Sequence, residues 1–589
     1  MASPDKALRI QFSATYVTLY LSLFVISSIL IFVVPVGSST EAREAHIISL
    51  LASGSDWVLP LRNGILPSKP PLYHWVGAAL TLAFGDSAGV ARLPSVIFGI
   101  ATLWLTLFLA LRLRRPADAQ ERSLQLLTTA LVLLTSWGFL GLMLEARVDM
   151  TFAFWCTLSI SLILRRFSSG FLSNAAGISP VTSHDFFWFY FSAGMAVLSR
   201  GPIGLILPVL ISWASFAYIS GARSATKAFL RPCLGWLVFL LVAIPWYVLA
   251  FLKGTDAFIW RQVVFENILR LSGGAHVNTE AVWFYIPSFL RSVFPWSVFF
   301  VLWGLTGIKN WRAVQRLDDD SRIRNIPLIW FIVGLIFFSS ASGKRHSYLL
   351  PLIPAVAIYV GCGITEWVYS LSETKRRIFE KFFLAARWEW LLVLLLVAME
   401  CARLPTVFSG GLQYQILNWY RKELPLLELA ILAALLFSVT WRIVSRGWGW
   451  STALGNLLCF VTLIQVIAVS GLGIKNAVKG YQDFAQRLQN SFDITQVEIV
   501  KDRFDESFDA LMYYLRRPIR VSTPEQFEAG CSAGQCFQYR LLRKDLLDQL
   551  QRGQPQRWMR FELAQTFSVS SKRFEPGASE EFVLVRAAE

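Results

Sequence analysis

About thirteen stretches of this chain are apolar enough, and long or nearly long enough, to cross a bilayer as helices, among them residues 16–34, 234–251, 426–441 and 453–474. Backbone inside hydrocarbon must satisfy its own hydrogen bonds, so such a chain is confined to a bundle of membrane helices joined by short or interfacial connections. Composition agrees: of 589 residues 55% are apolar and only 16% charged, with 45 Phe and 23 Trp. Soluble enzyme classes are excluded, and an α-helical polytopic membrane protein is expected.

The net charge of +16 does not point to nucleic acid, because the basic residues are distributed by topology. Clusters recur after alternate spans: Arg112, Arg114 and Arg115; Arg165 and Arg166; Arg223, Lys227 and Arg231; Lys309, Arg312 and Arg316; Lys375 to Arg377; Arg442 and Arg446. By the positive-inside rule those loops are cytoplasmic and the intervening ones face outward. Lys6 and Arg9 put the N-terminus in the cytoplasm, and an odd number of crossings puts everything after about residue 475 outside. The first span is read as retained rather than cleaved, although small residues follow it at 37–39.

Two domains are therefore expected, a membrane core over 11–474 and a small extracytoplasmic α/β domain over 475–589. In the tail, residues 497–500, 520–523, 537–542 and 582–587 read as strands, and 481–489 and 504–516 as helices. Long outward loops are expected at about 37–92 and 253–283, with interfacial amphipathic helices at 51–61 and 259–271. Cys156, Cys233, Cys362, Cys401 and Cys459 fall in or near apolar spans as small core residues. Cys531 and Cys536 lie in the outward tail, where a disulfide and two free thiols are both open readings.

Ionisable residues gather beside the membrane in the outward loops: Glu41, Arg43, Lys69, Glu145, Arg147, Asp149, Arg200, Glu266, Lys344 and Arg345, with His46, His74, His276 and His346. Such groups cost free energy near hydrocarbon unless they face water, a partner or a charged ligand, so this face is the candidate site. Each has a plainer reading. Asp149 opens an apolar helix and serves equally as its cap or as a partner of Arg147; Glu41 pairs with Arg43; Lys69 anchors a proline-rich loop to headgroups; Lys344 and Arg345 are solvated loop charges.

In order and spacing, TEAREAHIISLLASGSDWVLPLRNG, PSKPPLYHWVGA, ARLPSVIFG, RVDMTFAFW, LSRGPIGLILP, IPWYV, WFYIPSFL with FPW, and SGKRHSYLLPLIPA cover nearly the whole core. The chain resembles the bacterial lipid A aminoarabinose transferases, relatives of the dolichyl-phosphate-mannose protein mannosyltransferases and members of the GT-C glycosyltransferases. It departs from that family at two places. An expected Asp-Glu pair reads Thr40-Glu41, followed by Arg43, and an expected Glu-Lys-Pro-Pro reads Ser68-Lys69-Pro70-Pro71. Both departures remove acidic groups that relatives link to catalysis or metal binding.

The resemblance implies transfer of one sugar from a polyprenyl-phosphate donor to a lipid or glycan acceptor, at the outer face of the bacterial inner membrane and without a nucleotide cofactor. A phosphodiester leaving group needs fixed cations, for which Lys69, Lys344 and Arg345 are candidates. Arg43 and Tyr348 join them as candidate substrate-binding residues. Glu41 and Asp149 are candidate bases for a hydroxyl acceptor, whereas a phosphate acceptor is already ionised and needs little base catalysis. A divalent metal is left open, with His276 a weak candidate ligand. Alternative readings are a protein mannosyltransferase-like enzyme, a transporter or flippase of lipid-linked sugars, and a catalytically silent polyprenyl-lipid binder. Against a transporter, the ionisable groups gather at one face, and no paired broken helices or inverted repeats stand out.

Overall fold

The computed structural model describes residues 31–32, 35–62, 65–167, 181–230, 234–269, 272, 280–294, 296–311, 319–370, 481–501, 508–515, 519–526, 538–553, 561–570 and 579–587. Among them five helical stretches are long and apolar enough to cross a membrane: Ala88–Leu113, Ile203–Ser220, Leu234–Leu269, Arg322–Ser340 and His346–Ser370. Glu121–Thr135 and Trp137–Met143 are long and apolar enough only when taken together, as a broken span or a re-entrant loop with a 68° bend. Most of the expected span at 16–34, and those at 426–441 and 453–474, lie outside the described residues.

The helices that build the site region are α1 (Ser39–Ala52), α2 (Leu72–Phe84), α3 (Ala88–Leu113), α4 (Ala119–Thr135), α5 (Trp137–Met143), α6 (Val148–Leu164), α7 (Ser183–Arg200), α8 (Ile203–Ser220), α9 (Ala222–Leu230) and α10 (Leu234–Ile259). A π-helical segment, Trp260–Leu269, continues α10 beyond a kink at Thr255. Then come α11 (Tyr285–Ser292), α12 (Trp296–Trp311), α13 (Asp319–Arg324), α14 (Ile326–Ser340), the 3₁₀ turn His346–Leu352 and α15 (Ile353–Ser370). Local chemistry sets several of these ends. The Ser38 and Ser87 hydroxyls accept from Glu41 N and Val90 N to cap α1 and α3. Thr182 and Asp185 form a reciprocal capping box on α7.

The chain reverses between α7 and α8 at Arg200-Gly201-Pro202. Gly201 has φ +88°, a conformation that favours glycine, and a Cβ at Gly204 would lie 2.3 Å from Val197 N. The reversal leaves Arg200 in the last turn of α7, while Asp149 stands in the first turn of α6. Each charge complements the dipole of its own helix end.

Two loop expectations are corrected. Residues 51–61 are not an interfacial helix: α1 stops at Ala52, Gly54 takes φ +99°, and Asp56 Oδ1 accepts from Val58 N in a tight turn. Arg92 is not the rim of a loop but sits inside α3, with no solvent exposure. The expected helix at 259–271 is present as Trp260–Leu269, and it buries Gln262, Phe265 and Glu266.

The tail forms a five-stranded sheet in the order β2-β1-β3-β5-β4, with β1 Val497–Val500, β2 Arg520–Ser522, β3 Tyr539–Arg543, β4 Phe561–Ser570 and β5 Ser579–Ala587. Strands β2, β1 and β3 run parallel, whereas β5 is antiparallel to both β3 and β4. Its helices are α16 (Tyr481–Ser491), α17 (Asp509–Leu515) and α18 (Lys544–Gly553). Strands expected at 497–500, 520–523, 537–542 and 582–587 are present to within a few residues; β4 and α18 were not anticipated. Cys531 and Cys536 lie outside the described residues.

Sheet and helical bundle are joined rather than tethered. Ala42, Ala45, Ile48 and Tyr73 from α1 and α2 share one buried cluster with Tyr481, Phe484, Leu511 and Phe582. Arg62 pairs with the buried Asp509 at 2.7 Å, and the Tyr514 hydroxyl donates to the Val36 carbonyl at 2.7 Å. Tyr514→Phe strands that carbonyl in a closed junction and is expected to cost about 1–2 kcal/mol, read as a lower apparent unfolding midpoint in detergent. An unchanged midpoint would mean that the junction is wet and loose.

Candidate functional site

Asp149, Arg200, Lys69 and Glu266 form one site where the start of α6, the end of α7, the loop before α2, the π-helical segment and the turn before α15 meet. Its centre is Asp149, whose carboxylate accepts from the Arg200 guanidinium and from the Ser347 hydroxyl. Arg200 also stacks over the Tyr348 ring at 4.4 Å and faces Phe152 at 5.5 Å. Its planar fork is thereby held rigid by an acid on one side and a ring face on another. The expectations for Asp149 and Tyr348 meet here. Arg200 counted among the outer charges but was not chosen as a site residue; the signal was an Arg ending an apolar helix immediately before Gly-Pro.

Lys69 stands near enough to Asp149 to act on it electrostatically. The Lys69 ammonium is 2.7 Å from Glu266 Oε2, and the two side chains are 13% and 3% exposed. Residues 53–62 and 65–71 are braced toward this position by bonds from three sides. The Trp75 indole donates to the Trp57 carbonyl at 2.8 Å, the Trp246 indole to the Val58 carbonyl at 2.9 Å, and the Gln262 amide to the Pro67 carbonyl at 2.6 Å. Pro70 and Pro71 then stiffen the entry to α2. Neither Gln262 nor Glu266 could be tied to Lys69 from sequence, because 195 and 197 residues separate the contacting pairs.

The adjacent Lys344 and Arg345 do not act as a pair. Lys344 is buried and donates to the Glu280 carbonyl at 2.9 Å, while Glu280 N donates to the Ser342 carbonyl at 3.2 Å. Lys344 thus fastens the residues before α11 to the turn that carries Tyr348. Arg345 is exposed. Beside it His346 stacks on Phe284 with centroids 4.8 Å apart and meets Ser288 Oγ at 2.8 Å and Arg291 Nη2 at 3.2 Å.

Glu41 and Arg43 lie deeper, in an ion-paired layer under the site. Glu41 has no solvent exposure; its Oε1 accepts from Arg92 Nε at 2.6 Å and from Ala146 N at 3.1 Å. Arg92 Nη1 continues to the Ile31 carbonyl at 2.6 Å. Arg43 binds Glu44 at 2.9 Å, and the other Glu44 oxygen lies 2.6 Å from His74 Nε2. Burial raises the Glu44 carboxyl, but Arg43 and His74 outweigh it and hold the group well below the usual carboxylate range. The layer sits against the segment leading to Asp149, because Ala146 precedes Asp149 by three residues.

His276 lies outside the described residues, and among those described no three His, Cys, Asp or Glu side chains come together in a way that could hold a metal ion. Ser68 supplies no carboxylate beside Lys69; Glu266 does so from elsewhere in the chain. That carboxylate is engaged by Lys69.

No family model matches the chain. It is 25% identical over 331 residues to an undecaprenyl phosphate-α-4-amino-4-deoxy-L-arabinose arabinosyl transferase of Pseudomonas fluorescens, covering 56% of this chain and 54% of that protein. To the enzyme of that name from Pseudomonas aeruginosa it is 27% identical over 355 residues, 59% of each chain. The match thus spans between about half and three fifths of those relatives. Among solved structures, ArnT from Cupriavidus metallidurans bound to undecaprenyl phosphate superposes over 97% of this chain and 98% of its own, with TM-score 0.64 and 18% sequence identity. The likeness shows the fold: the chain shares the architecture of that ArnT structure, with a small C-terminal sheet.

Proposed function

We propose that this chain, sharing the ArnT fold and related in sequence to the aminoarabinose transferases, is an integral membrane glycosyltransferase. It moves a sugar from a polyprenyl-phosphate donor to a lipid A or lipopolysaccharide-type acceptor. The observation that carries the reading is a rigid, buried set of opposite charges, Asp149 with Arg200 and Tyr348 and Glu266 with Lys69, beside long apolar helices. In the reaction the bond from the sugar anomeric carbon to the donor phosphate breaks, and the acceptor oxygen bonds to that carbon. The departing phosphate gains charge as the bond lengthens, and Lys69 and Arg200 stabilise it because they are already oriented.

Asp149 is the candidate base. Its carboxylate oxygens are already engaged by Arg200 and Ser347, which favours an acceptor oxygen that is already ionised, a phosphate, over a hydroxyl. Glu41 supports the site from below, through Arg92 and the Ala146 amide. Arg345, exposed beside His346 and Arg291, fits the anionic headgroup of an incoming lipid better than the leaving group.

The alternating basic clusters support a cytoplasmic N-terminus, a membrane core over 11–474 and an extracytoplasmic domain over 475–589 in the bacterial inner membrane. The shared core of α1, α2 and the sheet supports a site on that same side. Deleting the gene tests the function. One polyprenyl phosphosugar should accumulate while its sugar disappears from an envelope glycolipid, both read by mass spectrometry of lipid extracts. An unchanged lipid profile would overturn the reading.

A further inference from the structure

Lys69 and Glu266 meet inside the protein from positions 197 residues apart, at 2.7 Å. The same π-helical turn grips the Lys69 loop a second time through Gln262 and the Pro67 carbonyl. The second carboxylate oxygen of Glu266 lies 3.6 Å from Arg261. π-Helical turns are rare and concentrate at functional sites, and this one begins just beyond the kink at Thr255, where φ is 50°.

A buried ammonium needs an anion beside it, and the carboxylate in contact with Lys69 is Glu266, with Asp149 acting on it from further away. The carboxylate therefore screens Lys69 from any second anion. We propose that Glu266 is the resident counterion of Lys69, which it holds at the site and yields to the phosphate of the polyprenyl lipid. The exchange limits phosphate affinity and so favours release of the polyprenyl phosphate product. Arg261 remains beside Glu266 as the cation it keeps once Lys69 is engaged. Glu266 is on this view a positioning residue that acts through Lys69, and the inference rests on the polyprenyl-phosphate reading of the site.

The test titrates undecaprenyl phosphate into the purified full-length protein in detergent, comparing wild type, Glu266→Gln, Lys69→Met and the double variant. Glu266→Gln leaves Lys69 without its resident anion, so the lipid phosphate should bind about tenfold more tightly and raise the unfolding midpoint more than in wild type. KM and kcat should fall together, because product leaves more slowly. In the Lys69→Met background the Glu266→Gln change should have no effect on affinity. Glu266→Asp, which loosens the pair and keeps the charge, should fall between wild type and Glu266→Gln, and it carries the test should the amide variant not fold. Equal or weaker binding by the folded Glu266 variants, or tightening that persists without Lys69, overturns the counterion role alone. Failure of the wild type to bind undecaprenyl phosphate overturns the functional reading, and this inference with it.

Discussion

Lys69→Met should lower turnover about a hundredfold or more, a loss of ~2.7 kcal/mol in transition-state stabilisation, when the purified protein is assayed with a polyprenyl-phosphate sugar donor. The effect is large because a braced loop sets the ammonium at the site before charge builds on the departing phosphate. Arg200→Met should be comparably severe, since it removes a rigid fork and takes from Asp149 its ion-pair partner. Asp149→Asn separates the two acceptor classes. A hydroxyl acceptor loses its base and about a hundredfold in rate, whereas a phosphate acceptor suffers a milder loss. Turnover like the wild type in both Lys69→Met and Arg200→Met would mean that the active centre is elsewhere.

Arg92→Met should destabilise the fold by about 3–5 kcal/mol, because it leaves the Glu41 carboxylate buried without its ion-pair partner. Glu41→Gln should be much milder: Arg92 keeps its bond to the Ile31 carbonyl and can still donate to an amide oxygen. The double variant Glu41→Leu/Arg92→Met, which removes both charges, should regain much of the lost stability. Apparent unfolding midpoints in detergent read all three. Turnover of Glu41→Gln settles the other candidate base, since a loss near a hundredfold in a protein of normal midpoint would return Glu41 from supporting layer to catalysis.

Much of the site was legible as a side of the molecule but not as a set of contacts. The outer-face charges, including Asp149 and Lys69, stand out because ionisable groups beside hydrocarbon are rare. Their partners do not, since no local pattern distinguishes Glu266 or Arg92 from an ordinary charge on a helix. Lys344 and Arg345 look alike in the chain, yet one is buried against the Glu280 carbonyl and the other is exposed. The texture of 51–61 suggested a helix, but Ser53-Gly54 and Asp56 prefer turns, and local turn chemistry prevailed over amphipathicity. Strand β4 does carry an apolar alternation, Phe561, Leu563, Phe567 and Val569, broken only at Ala564-Gln565, where its register along β5 shifts.

By itself the sequence determined the helical membrane class, the strand-rich tail and the face on which charge collects, because these follow from hydropathy and short-range periodicity along the chain. Which acid meets which base was decided only by the tertiary structure. Asp149 with Arg200, Lys69 with Glu266, Glu41 with Arg92 and Arg62 with Asp509 are joined across 51, 197, 51 and 447 positions of chain. Buried charges must find opposite partners wherever the packing of helices and sheet brings them, and that packing is settled by the fold as a whole.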